Sequence, residues 1–251
     1  MRRTITLLML CLLPGWAAAA ECPGNPSALG TARVLAVDAA STPRVGRKHF
    51  PVTLPLAPKE VVLTFDDGPS PGHTERVLDA LKHECVRATF FLIGRNAEQN
   101  PALARRTLAE GHTIGNHTYT HPWLNQMPQA RAEAQIDRGF AAIETALYGA
   151  ARPKPVTPFF RFPGFAATPA LLDSLARRGI VTFGADVWAS DWNRMTPEQT
   201  LRLVLGRVIE NNGGIVLFHD IQPHTVAMIP AFLRELKGRD FRVVHGVAAK
   251  S

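Results

Sequence analysis

Two adjacent carboxylates, Asp66 and Asp67, end the apolar run Val61-Val62-Leu63-Thr64-Phe65 and are followed by Gly68-Pro69. A β-branched, apolar run of this kind fits a strand covered on both faces. Charge at its end stands at the rim of a sheet, where α/β proteins bind ligands. Neighbouring strand residues point to opposite faces, but Gly68 and Pro69 bend the chain, so both carboxylates can reach one cavity. Taken alone, Asp-Gly-Pro is equally ordinary turn chemistry. His117 and His121 are four residues apart and are followed by Pro122. On a helical turn they share one face and can grip one metal ion, with Pro122 stopping the helix or confining it to that turn. A lone pair of this spacing is more often structural. Two imidazoles and one carboxylate, in contrast, leave a coordination position open for water, the catalytic arrangement.

Three further stretches deliver polar groups after apolar runs. In Phe159-Phe160-Arg161-Phe162-Pro163-Gly164-Phe165, burying Arg161 is costly without a carboxylate partner, and Asp66 or Asp67 is the natural one. Gly164 lets the backbone approach a ligand and offers an unencumbered N–H. A strand-to-turn junction with a surface arginine fits the same residues. Phe183 to Trp192 carries Asp186, Trp188, Asp191 and Trp192, and Ile215 to Asp220 carries His219. Trp188 and Trp192 can stack against a sugar ring or belong to the core; Phe183 and Phe218 are packing residues. His219 by itself is more often a hydrogen-bonded structural histidine.

The elements that must position these groups alternate along the chain. Strands are expected at 61–65, 88–93, 112–115, 157–161, 180–184, 214–218 and 241–244. Helices are expected at 74–84, 101–110, 126–148, 168–178, 197–211 and 225–236. This alternation predicts βαβ units and a parallel sheet, closed or nearly closed into a barrel, although an open doubly wound sheet gives the same pattern. Parallel strands share polarity, so the reactive groups at their ends share one rim.

The first twenty residues have the plan of a secretory signal peptide: Arg2 and Arg3, an apolar stretch from Ile5 to Leu13, and small residues from Ala17 to Ala20. The stretch is too short for a membrane span. Export to the periplasm or exterior leaves Cys22 and Cys85 as an even pair in an oxidising compartment, bonded or as two buried thiols. Residues 21–58 form an N-terminal arm, with a short strand at Arg33 to Val37, and 59–251 the main domain. Without Arg2 and Arg3 the chain has 26 basic and 21 acidic residues, a formal charge of +5. That balance favours acidic surroundings such as a cell-wall polymer or anionic lipid headgroups. The basic residues are scattered rather than clustered with aromatics, so nucleic acid is not expected as a partner. No stable membrane span and no protein partner are implied.

In order, Thr64–Pro69, His117–His121, Arg161 with Pro163, Asp186–Trp192 and Leu217–Asp220 resemble the five signature motifs of the polysaccharide deacetylases, the NodB-homology group of carbohydrate esterase family four. The resemblance covers residues 60 to about 245. Gly164 stands where that family usually has an aromatic residue, and four residues rather than two separate Asp186 from Asp191. The resemblance implies an α/β fold, a distorted (β/α) barrel of about seven parallel strands related to the TIM barrel. It implies a divalent metal, usually Zn2+ with Co2+ a plausible substitute, on Asp67, His117 and His121. It further implies Asp66 as general base, His219 as general acid, Arg161 paired with Asp66, and Asp186 orienting His219. Gly164 is expected at the oxyanion, and Trp192 and Asp191 on the substrate side. The implied activity is hydrolysis of N-acetyl groups from amino-sugar polymers or oligomers: peptidoglycan, chitin-type glycans or exopolysaccharide. An O-acetyl esterase acting on xylan or another acetylated glycan would use the same groups, and a non-catalytic carbohydrate-binding protein is the third reading. A glycoside hydrolase also uses paired carboxylates, but has no need of the histidine pair.

Overall fold

A computed structural model describes residues 22–249; the expected signal peptide lies outside the described residues. The first strands are β1 (Thr31–Val37), β2 (Arg44–Val45) and β3 (Glu60–Asp66), followed by α1 (Thr74–His83), β4 (Thr89–Leu92), α2 (Gly94–Gln99) and α3 (Pro101–Ala109). Then come β5 (Thr113–Asn116), α4 (Gln129–Tyr148), β6 (Phe159–Phe160), α5 (Pro169–Arg177), β7 (Val181–Phe183) and β8 (Val187–Trp188). The chain closes with α6 (Pro197–Glu210), β9 (Gly213–His219), α7 (Pro223–Gly238) and β10 (Arg242–Ala248). Helix starts are set by local chemistry. Thr196 and Gln199 form a reciprocal capping box on α6, Thr168 caps α5, and proline opens α3, α5, α6 and α7.

Every strand pairing among the described residues is parallel, as the alternation predicts. The strands run β8-β9-β3-β4-β5-β6-β7, with β2 on the far edge of β7. β7, next to the β2 edge, and β8, at the other end, are consecutive in the chain, with only Gly184, Ala185 and Asp186 between them. The sheet therefore curls round until the two ends come near each other, joined by the chain rather than by a hydrogen-bond ladder. One edge of β3 pairs with β9 throughout, while the other is divided between β10 at Glu60–Val61 and β4 at Thr64–Asp66. β10 carries β1 with it, and Thr113 at the start of β5 reaches over to Gly246, so this pair fills the end of the fold away from the rim.

β3 is buried along its whole length and alternates between two cores. Val61, Leu63 and Phe65 face the helices with Phe90, Val216 and Phe218, against α1, α6 and α7. Val62 faces the inside of the curl with Phe91, Phe159, Phe183 and Ile215. Burying each Leu or Phe contributes about 1.5–3 kcal/mol. The interior is tight enough to require glycine at 115, where a Cβ would stand 2.6 Å from the Phe91 ring. Three short elements escape the hydrophobic pattern. β2 and β8 are too short to show a period, and α2 packs its Gly94 against Gly139 of α4 through glycine contact rather than an apolar stripe.

Residues 22–58 are woven into this frame. β1 and β2 are sheet strands, and Cys22 is disulfide-bonded to Cys85, between α1 and β4. Among the described residues no helix is long and apolar enough to cross a membrane.

Candidate active site

Because Asp66 pairs with His219 in the register of β3 and β9, and Asn116 with Phe160 in that of β5 and β6, the strands end level and their terminal residues meet on one rim. Asp66 continues the inward alternation of Val62 and Thr64. Asp67 follows with φ 78° and turns its carboxylate to the same side. The turn after it is braced from below: Asp220, fully buried, accepts from Thr74 Oγ1, which accepts from Ser70 N–H at 2.8 Å. Burial raises the Asp220 carboxyl to about 7, with the nearby Asp67 charge acting in the same direction.

His117 and His121 converge without a helical turn. They lie on an irregular loop after β5, where Thr118 and His121 take left-handed conformations, φ 70° and 64°. This corrects the expectation of a shared helix face; the loop, not helical periodicity, brings the imidazoles together. His117 donates from Nδ1 to the carbonyl of Arg161 at 2.7 Å, leaving the Nε2 lone pair toward Asp67. Burial holds its pKa below the ordinary value, against the pull of Asp66 and Asp67, which favours the neutral ring. Asp67 Oδ1 lies 3.5 Å from His117 Nε2 and 3.3 Å from His121 Nε2. One donor atom from each of the three residues falls within 4.8 Å of the others. Asp67 Oδ1 is buried and has no hydrogen-bond partner, a cost of about 1–3 kcal/mol unless a cation takes it. The three residues therefore fit a metal ion.

Beside them Arg161 is buried completely. Its Nη1 donates to Asp66 Oδ1 at 2.7 Å and Thr64 Oγ1 at 2.8 Å, and Nη2 to the carbonyl of Gly184 at 2.8 Å. Its guanidinium sits 4.3 Å over the Phe91 ring. Arg161 thus fixes one oxygen of Asp66, and Oδ2 is left 3.7 Å from His117 Nε2.

His219 stands on the other side of Asp66. Its Nδ1 hydrogen-bonds Asp191 Oδ1 at 2.7 Å, and its backbone N–H donates to Asp191 Oδ2 at 2.8 Å. Thr225 Oγ1 donates to the same oxygen, and His224 Nε2 to the Asp191 carbonyl. Burial opposes charge on His219. The Asp191 hydrogen bond and the charges of Asp191, Asp66 and Asp67 outweigh it and raise the pKa to about 9.

Asp186 does not orient His219, and Asp191 is not a substrate-side residue. Asp186 accepts from the backbone N–H groups of Arg47 and Ile215 and from Thr53 Oγ1, clamping the segment around β2 to β9. Asp191 is buried and spent on His219. The usable signal in the sequence was the Asp-Trp dipeptide at 191–192, which the longer spacing from Asp186 obscured. Gly164 is exposed at the rim with φ 55°, and Trp192 is 5.9 Å from His219, edge to face. Trp123, just past Pro122, also borders the site; its only signal was a large ring directly after the histidine motif. Asp67, Thr118, His121, Phe165 and Ser190 are all non-glycine residues at positive φ around this rim. Such conformations cost of order 1–3 kcal/mol each and collect where a site dictates the backbone.

The sequence profile of the polysaccharide deacetylases covers residues 54–183, and the chain belongs to that family. The chain is 32% identical over 231 residues to the peptidoglycan-N-acetylglucosamine deacetylase PgdA of Listeria monocytogenes, covering 88% of this chain but 46% of that protein. It is 36% identical over 165 residues to a chitooligosaccharide deacetylase of a Bradyrhizobium strain, covering 66% of this chain and 72% of that one. Among solved structures, the Bdellovibrio bacteriovorus peptidoglycan deacetylase Bd3279 superposes with a TM-score of 0.76 at 34% identity, over 87% of this chain and 59% of that one.

Proposed function

We propose that this protein is an exported, zinc-dependent hydrolase that removes N-acetyl groups from an amino-sugar glycan of the cell envelope. The observation that carries the proposal is the orphaned Asp67 Oδ1 between two imidazoles, directly beside a free carboxylate oxygen of Asp66. Donors about 2.0–2.1 Å from a tetrahedral zinc are roughly 3.3–3.4 Å apart, and the 3.3 and 3.5 Å separations support that ion. Cobalt has similar demands and is a plausible substitute. Bound there, the ion supplies a Lewis acid for the acetyl carbonyl and for activation of water.

The chain's own groups supply the rest. Asp66 Oδ2 takes the proton of the attacking water, while Arg161 keeps Oδ1 occupied and the carboxylate aimed. His219, charged through Asp191, gives its Nε2 proton to the departing amine, which leaves poorly without one. Gly164 brings backbone to the place where negative charge develops on the acetyl oxygen. The bonded Cys22 and Cys85 support an oxidising compartment, in keeping with the signal-like first twenty residues. The glycan named in the relatives, peptidoglycan or chitin-type, supports an acetylated N-acetylglucosamine chain as substrate.

Zinc-loaded protein should release acetate, and no new reducing ends, from N-acetylglucosamine oligomers or peptidoglycan, and lose that activity to a chelator. Asp67→Ala should lose the metal by elemental analysis. Asp66→Asn should retain it and lose turnover by roughly 10²–10⁴-fold; near-normal rates in that variant would remove Asp66 as the base.

A further inference from the structure

Asp66 is aimed by Arg161, and Arg161 is itself held by a backbone carbonyl, since its Nη2 donates to Gly184 at 2.8 Å. Gly184 opens the link between β7 and β8, two strands that share no ladder. The arm holds this link from outside. Gly184 N–H donates to the Val45 carbonyl at 2.6 Å, and Lys48 N–H to the Ala185 carbonyl at 3.0 Å. Here the arm folds into a closed turn, because the N–H groups of His49 and Phe50 both donate to the Gly46 carbonyl.

His49 lies at the end of that turn and stands against two residues of the rim. A Cβ added at Gly184 would lie 3.1 Å from its Nδ1. Its ring is stacked on Phe165, with centroids 3.7 Å apart and planes 22° from parallel. Phe165 directly follows Gly164, the backbone proposed beside the acetyl oxygen. Burial, then the charges of Arg161 and Lys48, lower the His49 pKa to about 4. Near neutral pH the ring therefore carries no charge to compete with Arg161 for Asp66. His49 Nδ1 is buried without a hydrogen-bond partner, so that edge of the ring works by contact rather than by a polar bond. His49 also precedes residue 54, where the match to the family profile begins.

We infer that His49 is a positioning residue for the proposed reaction. It presses the arm turn against Gly184 and Phe165, and so holds Arg161, and through it Asp66, at the angle that attack on the acetyl carbon requires. This rests on the deacetylase reading above and makes the arm part of the catalytic frame.

The test compares wild type, His49→Ala and His49→Phe as zinc-loaded proteins, below the melting temperature of each. Acetate release from the N-acetylglucosamine tetramer gives kcat and KM, and hydrogen exchange of the Gly184 amide reports the link. His49→Ala should bind zinc as wild type does and exchange that amide faster. Its kcat should fall by about 10–100-fold, the scale of a misplacement of roughly 1 Å, with KM little changed. His49→Phe keeps a ring on Phe165 and should recover most of both losses. If His49→Ala changes neither exchange nor kcat, or only one of them, the positioning role is overturned and the deacetylase reading stands. A His49→Phe variant as slow as His49→Ala would overturn it too, by showing that an imidazole nitrogen matters rather than the ring. If wild type releases no acetate, the deacetylase reading falls and the positioning role falls with it.

Discussion

In the proposed reaction His219 hands a proton to a departing amine and so must hold that proton at working pH, whereas burial of an imidazole ordinarily favours its loss. His219 is kept charged by Asp191, which accepts from both its ring and its backbone N–H. With its pKa raised to about 9, the stability drawn from this pair is complete below the ordinary value of 6.5 and is lost as pH rises through about 9. Activity should follow the same alkaline limb, drawn downward by any dication on the neighbouring Asp67. Asp191→Asn should move the limb toward lower pH and reduce kcat by roughly 10²–10⁴-fold, measured as a pH–rate profile; a limb that stays in place would mean that Asp191 is not what charges His219. At this scale residue type carried most of the information in the sequence. A carboxylate pair, two histidines four apart, and an arginine after two phenylalanines have few other joint uses. The choice between Asp186 and Asp191 was only faintly legible, in the Asp-Trp dipeptide, because both carboxylates reach β9, Asp186 at Ile215 and Asp191 at His219.

That segment is the weak seam of the architecture, since no ladder joins β7 to β8. Asp186 bridges it, tying Arg47 N–H, Thr53 Oγ1 and Ile215 N–H into one knot. Gly46 fits beneath with φ 109°, where a Cβ would stand 2.4 Å from Ala185 N. Asp186→Ala leaves these donors unpaired, at about 1–3 kcal/mol for each that stays buried. The variant should melt earlier and be cleaved by protease within residues 44–53, where wild type should resist. Equal protease resistance would show that β2 is held by its pairing alone. The long elements were legible from their periodicity: β3, β9 and the helices lie close to where the pattern puts them. β2 and β8 were not, since a two-residue strand is defined by its partner rather than by its own sequence.

For the molecule as a whole, the cross-link between Cys22 and Cys85 spans 63 residues. Chain-entropy reasoning gives such a loop about 4 kcal/mol of stabilisation. Cys22→Ser with Cys85→Ser should lower the melting temperature while leaving kcat on a glycan close to wild type, because the bond lies at the end of the fold away from the rim. A matching loss of kcat would mean that the arm couples the two ends.

The described chain starts beside His83 and Cys85, where Asn25 Nδ2 donates to the His83 carbonyl, and ends where Ala249 N–H donates to Val37. Both points belong to the face that β1 and β10 close. A surface linked at either of these two points would therefore approach the protein from the face opposite Asp66 and Asp67.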